Sequence, residues 1–544
     1  GHTLTDTRTP QAPRAGPLGR ADVGYASGAR EKSGAVLLET GNERFGLHVD
    51  AYRRTAGDVR VPLALDCTAG GTPTTASRLC NSSADSNGGA VGASVFLPQG
   101  RLGASLSEHR SGYGSPAEDE VRIGMRQRRF ALEGEWTPRT AGIEAVKGQW
   151  SSTNYRHTEF DEGEPGTLFR NRAQEGRLEL RHAPLGPVRG VLGLQAERGR
   201  FSADGEEAFA PYSRTTSTAL FLHEELPTSW GRLDLGARTE QVRVRSLANP
   251  EVDRSAPGER RFDPGSLAVG ALWRLAPQWE LSSHLARTQR APRDYELFAN
   301  GPHVATGAWE IGNPDLGIER STQLDVGLGW KDGRHSAQVN AYTRRFANYI
   351  ALREPAVLRD EEAAGAGTGV ADCGDGTSVE SGCTAGVLPE IAYRAVRARF
   401  NGLEASGNWR LASAAPTVDL QWRADTVRAR DLDSGEPLPR IAPWRPGTTL
   451  VLGQQPWSLR VGFDHYGAQS RVPTGQATTA GYTLWHLGAT WRAKAGPSTL
   501  TWYARVDNLA DKLAYSASSL LTQTAPGRVP LPGRSIKLGL QADF

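Results

Sequence analysis

The sequence predicts an all-β fold, a 22-stranded antiparallel transmembrane β-barrel. Three observations carry this expectation. Apolar residues recur with period two through most of the chain. No stretch approaches the roughly 18 apolar residues that a membrane helix needs. Short and long connections alternate from one end of the 544 residues to the other, as they do in membrane barrels.

The bulk numbers agree. A chain of this length exceeds one ordinary globular core. Its 38% hydrophobic content is compatible with strands that hide apolar residues at every second position. A net charge of only +3 gives no footprint for nucleic acid, so none is expected as a partner. Gly1 opens a polar Thr/Arg/Pro stretch without the charged-then-apolar pattern of a secretory signal, so a mature form or a fragment is expected.

Strands begin near Leu18. Leu233, Leu235 and Ala237 alternate with Asp234, Gly236 and Arg238. Trp485, Leu487, Ala489 and Trp491 alternate with His486, Gly488 and Thr490; two Trp bracketing an apolar band are expected where a strand meets two lipid–water interfaces. Leu500, Trp502, Ala504 and Val506 alternate with Thr501, Tyr503, Arg505 and Asp507. Ile536, Leu538, Leu540, Ala542 and Phe544 alternate with Ser535, Lys537, Gly539, Gln541 and Asp543. The charged positions Arg238, Glu240, Arg505 and Asp507 suit either a packed polar lumen or a solvated wall; a soluble sandwich would not bury them.

Short turns are expected near Asn42, Gly100, Thr140, Gly186, Ser229, Pro277, Gly333, Ala414, Gln455 and Gly496. Between them fall the mostly longer segments 26–32, 55–87, 111–117, 157–167, 203–211, 247–261, 291–317, 353–390, 432–436, 472–480 and 511–532. If the first strand rises from the periplasm, the short turns are periplasmic and the long loops extracellular. No repeat of about 40–45 residues marks a propeller.

Cys67 with Cys80 and Cys373 with Cys383 sit in polar segments of two of those loops. An even count in short loops suits two local disulfides in an oxidising place, with free thiols as the alternative. Neither spacing matches a thiolate metal site.

The C-terminal stretch Val506-Asp507-Asn508-Leu509-Ala510-Asp511-Lys512, Tyr515 and Pro532-Gly533-Arg534-Ser535, ending in Phe544, resembles the closing signature of TonB-dependent outer-membrane receptors. Arg290-Ala291-Pro292, Glu296-Leu297, Gly312-Asn313-Pro314-Asp315-Leu316, Glu319 and Ser321 resemble a second motif of that family. The resemblance runs over nearly the whole chain, from Gly19-Arg20-Ala21-Asp22-Val23 onward. It implies a monomeric barrel over residues 18–544 in the bacterial outer membrane, embedded in outer-membrane lipid. It also implies energised uptake of a scarce nutrient, driven by the TonB-ExbB-ExbD complex through a plug domain. Residues 1–17 resemble the linker that joins plug to barrel, and no plug is found ahead of them. Phe544 resembles the terminal aromatic read by the barrel-assembly machinery.

For the cargo, Glu296 to Thr306, Trp309 to Asn313 and Arg345 to Ile350, with Tyr52-Arg53-Arg54 and Gly57-Asp58, resemble the zinc-receptor subfamily. Imidazole and carboxylate are zinc ligands, so His303, Glu296 and Glu310 are the candidate metal residues. The His- and Asp-rich loop of that subfamily, expected after the fifth strand, is reduced to Glu108-His109 and Glu118-Asp119-Glu120. Haem is the sharpest alternative: His303 lies between an Arg-Ala-Pro and an Asn-Pro-x-Leu box, as in haem receptors, and imidazole is a common axial ligand. A ferric siderophore is a third option. Of another class would be a passive porin or a surface adhesin. No resident cofactor is required; zinc or haem would be transported ligands. No enzyme is expected, because His223 beside Glu224-Glu225 at a periplasmic turn is not a catalytic constellation.

Overall fold

The computed structural model describes residues 8–69, 72–205, 208–252, 254–303, 306–353, 358–360, 370–371 and 387–544. Among these residues 22 strands close into one antiparallel barrel with almost no helix. The first six are β1 (Leu18–Ala26), β2 (Glu31–Gly41), β3 (Phe45–Ala56), β4 (Ala84–Leu97), β5 (Gly100–Gly114) and β6 (Arg122–Trp136). β7 (Ile143–Asp161), β8 (Glu164–His182), β9 (Arg189–Asp204), β10 (Ser213–Thr228) and β11 (Gly231–Leu247) follow. Pro257–Phe262 and Gly265–Ala276 together make β12. Then come β13 (Trp279–Arg290), β14 (Glu319–Lys331), β15 (His335–Arg353), β16 (Val387–Ala412) and β17 (Thr417–Asp431). The last are β18 (Arg445–Gln454), β19 (Trp457–Tyr466), β20 (Tyr482–Ala495), β21 (Ser498–Asp507) and β22 (Ser535–Asp543).

Each strand pairs with its chain neighbours, and β1 pairs with β22 to close the ring, Arg20 opposite Asp543 and Ala26 opposite Lys537. With no water in the bilayer core, every ladder group must find a partner inside the sheet, and closure removes the free edges. Alternation then sorts the faces. Leu235, Trp485, Leu487, Trp491, Ile536 and Leu538 are exposed on the outside, where lipid covers them. Inside, Arg238 bonds Glu240 at 3.2 Å and Arg505 bonds Asp507 at 2.6 Å. Neighbouring Trp pairs such as Trp230–Trp273 and Trp491–Trp502 stand beside the short turns, with ring centroids 5.6 and 4.7 Å apart. They form an aromatic belt at that interface.

All ten expected short turns lie at one rim of the barrel, the rim that faces the periplasm in outer-membrane barrels. Two outer connections are tighter than expected. The segment anticipated over 157–167 is strand almost to its tip, because β7 and β8 stay paired up to Asp161 opposite Glu164. They turn at Glu162–Gly163, whose φ values of 50° and 91° suit a tight hairpin. The chain likewise turns between Ala26 and Glu31 with Arg30 at φ 49°. Asp263-Pro264 interrupts β12 without shifting its register on β11, since proline has no N–H for the ladder.

Two further pieces sit on this frame. Outside, a hairpin (Arg60–Ala69 with Thr72–Arg78) is closed by a Cys67–Cys80 disulfide and packs Val61, Leu65 and Leu79 together. Arg60 grips Asp511 through two hydrogen bonds of 2.8 and 2.6 Å, tying this hairpin to the loop before β22. Cys373 and Cys383 lie outside the described residues. Inside, residues 8–11 lie against the lumen wall. Thr9 is fully buried and bonds Glu133, which also takes Arg101 at 2.7 Å and Gln11 at 2.6 Å.

Candidate functional site

The connection from β13 to β14 turns inward. Pro292 ends the strand ladder, and a helix, α1, occupies Asp294–Phe298. Glu296, at the third helical position, accepts the Arg293 N–H at 2.7 Å, which is the carboxylate half of a capping box. A hairpin follows, Asn300–His303 against Ala308–Ile311. Its second strand adds in parallel to β16, Trp309 opposite Glu390. The chain returns through Gly312, where any Cβ would overlap the α1 backbone.

Packing holds this segment in place. Leu297, Ala299 and Leu316 share one buried cluster with Val244, Phe262, Ile350 and Tyr393. Val244 and Phe262 have the opposite parity to the outward-facing Arg243, Arg245 and Arg261, so the cluster lies on the inner face of the barrel mouth. Below it, Arg290 binds two carboxylates. Its guanidinium reaches Glu296 at 2.7 and 2.9 Å and Glu319 at 3.0 and 3.1 Å. Glu319 also accepts the Ile350 N–H at 2.9 Å.

The hairpin brings His303 and Glu310 together. His303 Nδ1 lies 2.7 Å from Glu310 Oε1, and Tyr393 donates its hydroxyl to Glu310 Oε2 at 2.9 Å. Burial pushes the Glu310 carboxyl up, but the hydrogen bond and charge of His303, with Tyr393 and Thr306, outweigh it and hold the group below its usual range. Phe209 stacks on the imidazole, centroids 4.2 Å apart and planes 8° from parallel. Glu310 is almost fully enclosed while the His303 side chain is 32% exposed. In the neutral imidazole a carboxylate on Nδ1 keeps the single ring proton there, which leaves the Nε2 lone pair available to a ligand. Trp309 beneath it bonds Asn300 at 2.8 Å, and Asn300 bonds the Arg254 carbonyl at 2.7 Å.

Of the three candidate metal residues, two therefore meet. Glu296 faces Arg290 and its own helix cap instead. Among the described residues no three His, Cys, Asp or Glu side chains converge in a way that could hold a metal ion. Tyr393 and Phe209, which complete the pair's surroundings, come from distant strands and loops and have no local signal in sequence. Arg290 and Glu319 were visible only as motif letters. His223 and Glu224 lie near the periplasmic end of β10, where Glu224 bonds His182 at 3.1 Å.

Comparison with known proteins places the fold. The family described as TonB dependent receptor-like, beta-barrel, matches residues 74–509, well over half of the chain. Among solved structures, the copper transporter OprC is 16% identical with a TM-score of 0.79, covering 98% of this chain and 81% of its own. The FrpB iron transporter of Neisseria meningitidis, F3-3 variant, is 12% identical with a TM-score of 0.73 over 98% and 82%. The Serratia marcescens hemophore receptor HasR, solved with its hemophore HasA and heme, is 17% identical with a TM-score of 0.69 over 98% and 81%. At these identities the likeness is one of fold.

Proposed function

The chain belongs to the TonB-dependent receptor family, whose β-barrel it supplies in the outer membrane, and we propose that it carries a metal-bearing nutrient recognised through His303. Receptors of this family are transporters, not enzymes, and work with TonB-ExbB-ExbD. One observation carries the proposal. A half-buried imidazole is oriented by a buried carboxylate at the barrel mouth, as metal-binding histidines are oriented by a carboxylate on their other ring nitrogen. Glu310 acts through His303 as a positioning residue, and Glu296 holds the segment's base.

Zinc is the first cargo reading, supported by the resemblance of this segment to zinc receptors; the remaining ligands would come from elsewhere, since a tetrahedral ion needs four. The single imidazole supports haem as the second, because a porphyrin brings four nitrogens and needs only an axial ligand. The names of the similar structures, copper, iron and heme among them, fit a metal-bearing cargo. The contact of residues 8–11 with the lumen wall supports reading residues 1–17 as the linker of a plug.

Titration of the purified receptor with zinc and with haem tests this. Expected is binding of one of them, abolished in His303→Ala and weakened about 10–100-fold in Glu310→Gln, as for other orienting partners. A Soret shift that disappears in His303→Ala assigns haem; zinc binding without a Soret shift assigns zinc. Binding unchanged in His303→Ala would overturn the site.

A further inference from the structure

The outward face of β5 to β11 carries arginine where lipid-facing strands end. Within one row Arg110 pairs in register with Arg126, Arg126 with Arg156, and Arg156 with Arg170. In the next, Arg172 stands opposite Arg200, Arg200 opposite Arg214, and Arg214 opposite Arg245. All have the parity of the lipid-facing side chains. Arg126 shares it with Phe130 and Leu132, Arg172 with Leu178, Arg200 with Leu192 and Leu194, Arg214 with Leu220 and Leu222. The rows begin about one crossing's length, roughly 9–11 residues, from the periplasmic turns. They therefore mark the upper edge of the apolar band, at the headgroups of the outer leaflet. A shorter row, Arg345 opposite Arg399 opposite Arg430, repeats the pattern on β15 to β17.

Like charges directly opposite each other destabilise a sheet. Three carboxylates relieve only the flanks: Glu108 serves Arg110, Arg126 and Arg128, Asp204 serves Arg170, and Glu259 serves Arg243, Arg245 and Arg261. Among the described residues Arg156, Arg172, Arg200 and Arg214 have no carboxylate partner, and the Nε atoms of Arg126 and Arg214 are enclosed with no hydrogen-bond partner. Strands β18 to β22 show that this is not a general habit of the fold. On β18 to β20 the register-linked outward positions are Thr448, Phe463 and Trp485, and on β21 and β22 they are Val506 and Ile536.

We propose that this arginine belt is a docking surface for the phosphate groups of outer-leaflet glycolipid. A guanidinium takes a phosphate through two parallel hydrogen bonds, and neighbouring guanidinia at strand spacing can share one dianion, turning repulsion into attraction. The lipid would pack its chains on the leucines below while its phosphates sit among the arginines. Because β18 to β22 carry no such row, the belt would leave that arc of the barrel without these lipids.

The test uses the whole receptor in detergent with diphosphorylated lipid A, the same lipid dephosphorylated, or inorganic phosphate, read by native mass spectrometry and melting temperature. Expected is retention of phosphorylated lipid A and a rise in Tm. Retention should be at least tenfold weaker in the combined Arg156→Gln, Arg172→Gln, Arg200→Gln and Arg214→Gln variant and unchanged in the inward-facing Arg238→Gln. Equal retention of dephosphorylated lipid, unchanged retention by the fourfold variant, or an equal Tm rise with inorganic phosphate would each overturn the proposal. If the fourfold variant does not assemble, the wild-type comparison of the two lipids decides alone.

Discussion

Arg290 is the residue on which the inturned segment stands. It neutralises Glu296 and Glu319, whose side chains are only 8% and 9% exposed. Arg290→Gln would leave two enclosed carboxylates without their cation. Breaking a fully buried pair costs about 3–5 kcal/mol, and the partial exposure of Arg290 lowers this to about 2 kcal/mol. The expected outcome is a roughly thirty-fold rise in hydrogen exchange across residues 294–303, with the transmembrane strands unaffected. Exchange unchanged there would show that the apolar cluster around Leu297 holds the segment by itself. The three candidate residues illustrate what sequence offers at this scale. Glu296, three residues after Arg293 and inside the short helical turn that follows Pro292, is legible as a cap. The pairing of His303 with Glu310 is not, because it depends on a hairpin of two four-residue strands, too short for period two to distinguish. Tyr393 could be placed only by knowing that the hairpin adds to β16.

At the scale of elements, the transmembrane strands were the readable part. Their outward and inward faces differ in chemistry at every second residue, and the short turns between them carry Gly, Pro or Asn. The outer pieces obey no such period. The hairpin of residues 60–78 stays together through a small cluster and its disulfide. A loop of this size restrained by one bridge gains about 3 kcal/mol in the chain-entropy account. Replacing Cys67 and Cys80 by Ser should make residues 60–80 susceptible to protease while the barrel keeps its heat-resistant mobility on gels; loss of the barrel as well would show that the outer hairpin is needed for closure. The arginine rows escaped the sequence reading for the opposite reason. Arg126 and Arg128 continue the parity of Phe130 and Leu132, so alternation alone registers them as strand and not as a change of solvent. Following one face upward until its chemistry changes would have found them.

For the whole molecule, the decisive joint is the one between the two ends of the chain. Gly19 and Phe544 exchange backbone hydrogen bonds of 2.6 and 2.9 Å, and Arg20 bonds Asp543 at 2.6 Å. The Phe544 ring covers Gly19 so closely that a Cβ there would overlap it. Gly19→Val should therefore displace the ring and loosen the joint by about 1–3 kcal/mol, seen as a lower temperature for the gel-mobility shift; an unchanged temperature would show that the ring swings away without cost. The same variant asks whether Phe544 must be presented in this position for assembly.

That joint links residues 523 positions apart, and its consequence is one of timing. Contacts so distant along a chain are the slowest to form, because the whole loop between them must be ordered first. In a polypeptide made from its N-terminus, β1 emerges long before its partner β22. Until β22 arrives, the first strand waits with a bare edge, able to pair with any other strand it meets. Strand β22 with Phe544 is thus both the latch of the finished wall and the clock that sets how long the unfinished one stands open.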